Sequence, residues 1–115
     1  MKLKATVALA ATVSLFATFS TSVLAAGDPE RGKVFYATCG ACHGANGEGM
    51  EALNAPALAG QEDWYVIRQL QNFKNGIRGT NPKDTFGMQM APMAMTLPSE
   101  QAIEDVAAYI TTLED

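Results

Sequence analysis

The polar and apolar positions divide the chain into an apolar leader, three helix-length segments and two long irregular stretches. After the positive pair Lys2 and Lys4, the run from Ala5 to Phe19 is apolar apart from scattered Thr and Ser. A first helix is announced by Asp28 as N-cap, Pro29 at the first helical position and Glu30 in the first turn. It runs through Val34, Phe35 and Tyr36 toward residue 43. Gly32 inside it costs about 1 kcal/mol against Ala, so a close helix contact is expected there. Gly44 to Gly49 reads as a turn-rich loop and Ala55 to Gly60 as an extended one.

A second helix is expected to begin between Gln61 and Asp63. It carries Trp64, Ile67, Leu70 and Phe73 and stops at Lys74-Asn75-Gly76. Residues 77 to 98 lack periodicity and hold Pro82, Pro92 and Pro98, which predicts a long functional loop with one short helical turn. A last helix starts at Ser99 with Glu100 in its first turn. It presents Ile103, Val106, Ile110 and Leu113 as a stripe flanked by Ala102 and Tyr109. Nothing reads as a strand, so the fold class is all-α with three main helices.

The apolar leader reads as an export signal. It closes in Val23-Leu24-Ala25-Ala26, whose small residues suit cleavage after Ala25, with Ala26 as the alternative. An uncleaved membrane anchor is the competing reading. The seven Ser/Thr residues between Thr6 and Ser22 make it a weak spanning helix. The expected organisation is a signal peptide over 1–25 and one domain over 26–115, delivered in bacteria to the periplasm, with no membrane span after processing.

A domain of about 90 residues buries little core and usually needs a disulfide, metal or cofactor as a staple. Removing Lys2 and Lys4 leaves six Lys/Arg against twelve Asp/Glu, a formal charge of −6. Nucleic acid is therefore excluded as a partner, because its phosphates would repel such a surface. A protein partner would offer a basic face, or meet an apolar contact region.

The staple is named by residues 39 to 43. Cys39-Gly40-Ala41-Cys42-His43 is the C-x-x-C-H pentapeptide by which a c-type haem is covalently attached. Each thiol adds across one vinyl group, and His43 is then held beneath the iron as its proximal ligand. These are the only two cysteines and the only histidine, so a tetrahedral Cys/His zinc site lacks its third and fourth ligands. A thioredoxin-like pair or a simple disulfide would account for C-x-x-C alone. The adjacent histidine, the upstream export signal and the downstream methionines favour one covalent haem per chain.

An electron-transfer iron should stay six-coordinate, and a thioether is a soft ligand that favours Fe(II). Met50, Met88, Met90, Met93 and Met95 are the candidates, and the chemistry alone does not choose among them. Methionines also fill irregular apolar gaps, which is the expected role of most of them. Met50, close to His43 in a tight glycine-rich loop, ranks last.

Gly32-x-x-Phe35-x-x-x-Cys39-x-x-Cys42-His43-Gly44 resembles the front of a class I c-type cytochrome. Pro56-x-Leu58-Ala59-Gly60-Gln61 and Tyr65-x-x-x-Gln69-Leu70-x-x-Phe73-x-x-Gly76-x-Arg78 are narrower signals. With Met90-x-x-Met93-Ala94-x-x-Leu97 and Val106-Ala107-x-Tyr109-Ile110, the chain resembles one module of the two-haem periplasmic cytochromes and their single-haem relatives. The likeness runs over nearly the whole mature chain.

The resemblance implies a small cytochrome c-like domain wrapped around one haem. It places the distal ligand seven residues before Leu97, at Met90, ahead of Met88 and then of Met93 and Met95. It also implies that the Pro56 carbonyl fixes the His43 ring, where a simple turn proline is the competitor. It further implies that Gly32, Phe35 and Tyr109 form the crossing of the first and last helices. Donors to the haem propionates are available in Trp64, Tyr65, Gln69 and Arg78, with Trp64 equally suited to the core and Arg78 to a solvated loop.

The function expected is a soluble periplasmic one-electron carrier with His43/Met90 ligation, not an enzyme. Its partners would be donor and acceptor redox proteins, membrane-bound respiratory enzymes among them. Two other readings stand beside it. One is a haem enzyme or gas- or peroxide-binding protein with an open distal site, which would want a distal His, Arg or Glu. The other is a fixed electron-transfer subunit of a dehydrogenase.

Overall fold

The Asp28 carboxylate accepts from the backbone N–H groups of Glu30 and Arg31, and Pro29 follows as the first residue of helix α1, Pro29–His43. The computed structural model describes residues 1–4, 8–14, 16–18 and 26–114. The expected cleavage point after Ala25 lies outside the described residues. A 3₁₀ turn at Glu51–Leu53 precedes α2, Asp63–Lys74. Helix α3, Thr85–Ala94, and α4, Glu100–Ile110, complete the order. Among the described residues there is no strand, only the isolated bridge between Met50 and Ala55. None of their helices is long and apolar enough to cross a membrane.

The architecture turns on the crossing of α1 and α4. Ala102, Ile103, Val106, Ala107 and Ile110 recur at helical spacing, and all are buried. They pack with Tyr36 of α1, Val66, Leu70 and Phe73 of α2, and Ala94 and Leu97 before α4. The helices meet closely because Gly32 has no side chain. A Cβ there would lie 1.9 Å from the Asp105 carbonyl oxygen and 2.9 Å from the Tyr109 Cβ. The opposing group is backbone and cannot swing aside. Gly32→Ala is therefore expected to cost about 3 kcal/mol, the top of the usual overpacking range. Thermal unfolding of the haem-loaded protein should show a melting temperature lower by roughly 10 °C or more. An unchanged midpoint would contradict the close crossing.

An ion pair sits beside that crossing. Asp105, 2 % exposed, accepts from Arg31 Nε at 2.8 Å and Nη2 at 2.9 Å, and from the Asp28 N–H at 2.8 Å. The Arg31 fork, with help from the Asp28 N–H and Gln101, lowers the Asp105 carboxyl to about 2. An unfolded aspartate titrates at about 3.9, so the native state favours the ionised form. This contribution is complete above about pH 4 and disappears as the pH falls through about 2. Because Arg31 is half-exposed and screened by solvent, Arg31→Ala should lower stability only modestly at neutral pH. Chemical denaturation at a series of pH values should show the two proteins converging toward pH 2. A constant difference would contradict this assignment.

Two expectations change. The stretch from 77 to 98 holds a ten-residue helix, α3, where a loop with one short helical turn was expected. Pro92 lies inside it and supplies no amide hydrogen, which is why the sequence argues against a helix. The helix is fixed instead by its start and its packing. Asp84 caps it, its Oδ1 accepting from the Gly87 N–H at 2.9 Å, and it packs against α2. Gly79 makes close approach possible, since a Cβ there would meet the Gly87 carbonyl at 2.5 Å.

Trp64 is the second change: it is 53 % exposed, outside the core, and lies under the Arg68 guanidinium at 5.2 Å. A stripe written at three-residue steps drifts around a helix. At about 100° per residue, Trp64 and Phe73 end on opposite sides. The face that is buried is Val66, Leu70 and Phe73.

Candidate haem site

The last turns of α1 bring the pentapeptide to one wall of a cleft. Cys39 and Cys42 are three residues apart and His43 four from Cys39, so all three side chains share one helical side. The helix ends at Gly44, whose φ of 87° is left-handed and whose N–H returns to the Gly40 carbonyl. Cys39 and Cys42 are not joined to one another by a disulfide. Burial raises the Cys39 thiol above its ordinary value. A reactive thioredoxin-like pair needs the opposite shift, toward thiolate. Among the described residues no group of three or more His, Cys, Asp or Glu could hold a metal ion by itself.

His43 is 7 % exposed, and its Nδ1 lies 2.7 Å from the Pro56 carbonyl oxygen. A carbonyl only accepts, so Nδ1 carries the hydrogen and Nε2 keeps its lone pair. This is the arrangement a ligating imidazole needs. The loop that presents Pro56 is pinned from several sides. The Gly49 N–H donates to the His43 carbonyl at 2.7 Å, and the N–H groups of Leu58 and Ala59 donate to the Gly47 carbonyl at 2.8 and 3.0 Å. Gly49 has φ 80°, and a Cβ there would sit 2.7 Å from the Ala57 nitrogen. Tyr36 closes the turn from the core side by donating its hydroxyl to the Gly44 carbonyl at 2.8 Å. Burial pushes that phenol up to about 12.

The cleft encloses about 420 Å³. Its α1 wall holds Cys39, Cys42 and His43, and the following loop adds Leu53, Pro56 and Leu58. Helix α2 contributes Tyr65, Val66, Gln69, Leu70 and Phe73, and Ile110 of α4 also reaches it. Helix α3 supplies Phe86, Met90 and Met93. Of the five candidate methionines, only Met90 and Met93 line the cleft. Met50, Met88 and Met95 are exposed and lie off it, so they do not fill gaps around a cofactor. Tyr65, Gln69 and Arg78 lie on the lining, while Trp64 does not.

Two thiols, an oriented imidazole, apolar walls and two thioethers form a donor set suited to a covalently held haem. Asp84, Phe86 and Gln89 also line the cleft without having been expected there. Only Asp84 had a sequence signal, as an N-cap residue two positions after Pro82.

The sequence model for the cytochrome c family matches residues 29–114. The chain is 40 % identical over 103 residues to cytochrome c4 from Stutzerimonas stutzeri, covering 87 % of this chain and 49 % of that protein. It is 36 % identical over 89 residues to cytochrome c-554(548) from Halomonas halodenitrificans, covering 77 % of this chain and all of that protein. The crystal structure of reduced recombinant cytochrome c4 from Pseudomonas stutzeri superposes with a TM-score of 0.61 at 40 % identity, over 77 % of this chain and 47 % of that one. The chain spans about half the length of the cytochrome c4 relatives it matches.

Proposed function

The chain belongs to the cytochrome c family, and from that premise we propose that it is a periplasmic one-electron carrier holding a single haem. The family implies covalently bound haem c, which supplies a one-electron Fe(III)/Fe(II) couple when bound. One observation carries the reading. The thiols of Cys39 and Cys42 and the carbonyl-oriented His43 line the same apolar cleft as the thioethers of α3.

In this reading Cys39 and Cys42 would form the thioether links and His43 Nε2 would ligate the iron. Met90 would be the second ligand. It is half-buried and packs against the core, whereas Met93 is 42 % exposed. The Pro56 carbonyl holds the His43 ring in register and keeps the proton on Nδ1. Leu58, Leu70 and Phe73 line the cleft with apolar surface that would limit water around a bound haem, so its charge change would meet little reorganising solvent. Electrons would pass between donor and acceptor redox proteins, membrane-bound respiratory complexes being candidates. The leader would be removed after Ala25, leaving the domain 26–115.

Intact mass tests organisation and loading together. The exported protein should begin at Ala26 or Gly27 and carry the mass of one haem through denaturation. Retention of Met1 in membrane fractions would contradict the processing. Reductive titration should then consume one electron per chain, returned in full to an oxidant. Sustained consumption of hydrogen peroxide would contradict the carrier and favour an enzyme.

A further inference from the structure

Tyr36 is 3 % exposed and sits on the side of α1 that carries Cys39 and His43, three and seven residues further on. Its ring lies 5.1 Å from the Tyr109 ring at a tilt of 54°, and a Cβ on Gly40 would come within 3.4 Å of its Cε1. Phenylalanine would fill that space equally well, so packing alone does not call for the hydroxyl. A buried hydroxyl is costly unless it is hydrogen-bonded, and this one donates to the Gly44 carbonyl at 2.8 Å.

The same carbonyl accepts from the Gly47 N–H at 3.1 Å, so both its lone pairs are used. Gly44 and Gly47 are buried, with φ of 87° and 69°. Glycines give up more backbone freedom on folding than other residues, so this turn depends on its neighbours to hold it. Its Gly47 carbonyl anchors the next segment, accepting from the N–H groups of Leu58 and Ala59 at 2.8 and 3.0 Å. That segment carries Pro56, whose carbonyl lies 2.7 Å from His43 Nδ1. A continuous run of contacts therefore leads from the Tyr36 hydroxyl through the turn to the imidazole.

We propose that Tyr36 is a positioning residue: its hydroxyl holds the Gly44–Gly47 turn, keeps the Pro56 carbonyl on His43 Nδ1, and thereby lowers the reduction potential of the bound haem. The inference rests on the haem reading above. Its sign follows from the imidazole. An acceptor on Nδ1–H makes the ligating Nε2 more basic, and a more basic ligand favours Fe(III). Without the hydroxyl the turn loosens, the Nδ1 bond weakens and the potential rises.

The test joins proton NMR to a redox titration of the exported, haem-loaded protein. In Tyr36→Phe the His43 Nδ1 proton of the ferrous state should exchange with deuterium about two- to tenfold faster than in the wild type, the factor one lost hydrogen bond gives. The midpoint potential of that variant should be higher. Tyr109→Phe, which keeps the ring pair and the Gly44 bond, should match the wild type in both readouts. A Tyr36→Phe protein with a lower melting temperature but unmoved exchange and potential would overturn the proposal, leaving Tyr36 a core residue only. A lowered potential would also overturn it, because water would then have entered the cleft. Should Tyr36→Phe fail to load haem, 3-fluorotyrosine at position 36 decides, as a stronger donor of nearly the same shape. Slower exchange with a lower potential supports the proposal, and unmoved values overturn it. The covalent haem and the ferric sulfur–iron band separate the two levels. Their absence from the wild type would overturn the haem reading and this proposal together, whereas their presence with unmoved readouts would overturn this proposal alone.

Discussion

Replacing Cys42 by Ala is expected to remove most of the haem-loaded protein and, with it, most of the folded protein. One thioether link disappears and the neighbouring His43 loses an anchor. The consequence for folding follows from the cleft. Without haem the apolar lining of the cleft, about 420 Å³, stays against water instead of being buried on the porphyrin, and a small domain whose net stability is only about 5–15 kcal/mol has little to set against that loss. No disulfide stands in reserve, since the only two cysteines are the proposed attachment thiols. A haem stain after denaturing electrophoresis should show a strong band for the wild type and little or none for Cys42→Ala. Near-ultraviolet circular dichroism of the variant should lack the signature of fixed packing. A cooperatively folded, colourless Cys42→Ala protein would show that the cofactor is not the staple.

Met90→Ala is expected to have the larger effect on chemistry with a smaller one on folding. Removing the thioether should abolish the weak long-wavelength sulfur-to-iron band of the ferric protein. The potential should fall, because Fe(II) loses its soft ligand, by an appreciable part of the ~0.8 V span that axial ligands command. Carbon monoxide should then bind the ferrous form. Met88→Ala and Met95→Ala, exposed and off the cleft, should leave the band intact and change stability by no more than about 0.5 kcal/mol. Met93→Ala is the informative control, because Met93 also lines the cleft. It should keep the band. If Met93→Ala abolishes the band and Met90→Ala does not, the carrier function stands and the distal ligand is Met93.

Much of this molecule was legible because its signals are local. Asp28 and Ser99 announce helix starts by accepting from backbone N–H groups within three residues, Pro29 does so by its fixed φ, and those helices begin there. The C-x-x-C-H pentapeptide needs only five consecutive residues. Helix α3 was harder, because Pro92 weighs against it locally while its packing on α2 comes from residues distant in sequence. Trp64 misled for a geometric reason, since a three-residue stripe does not stay on one face. The Arg31–Asp105 pair had no local signal at all: its partners are 74 residues apart, and only the fold brings them together. The methionines show both cases. Their number pointed to a thioether ligand, but only the cleft separates Met90 and Met93 from Met88, Met95 and Met50.

The carrier reading depends on both His43 and a thioether of α3 ligating the iron. An anaerobic redox titration of the wild-type protein, followed by visible spectra with and without carbon monoxide, tests it most directly. The account predicts one reversible one-electron wave, a sulfur–iron band in the ferric state, and a ferrous spectrum that carbon monoxide does not change. Stoichiometric carbon monoxide binding by a wild type that lacks the band would contradict it, showing an open site suited to an enzyme or a ligand sensor.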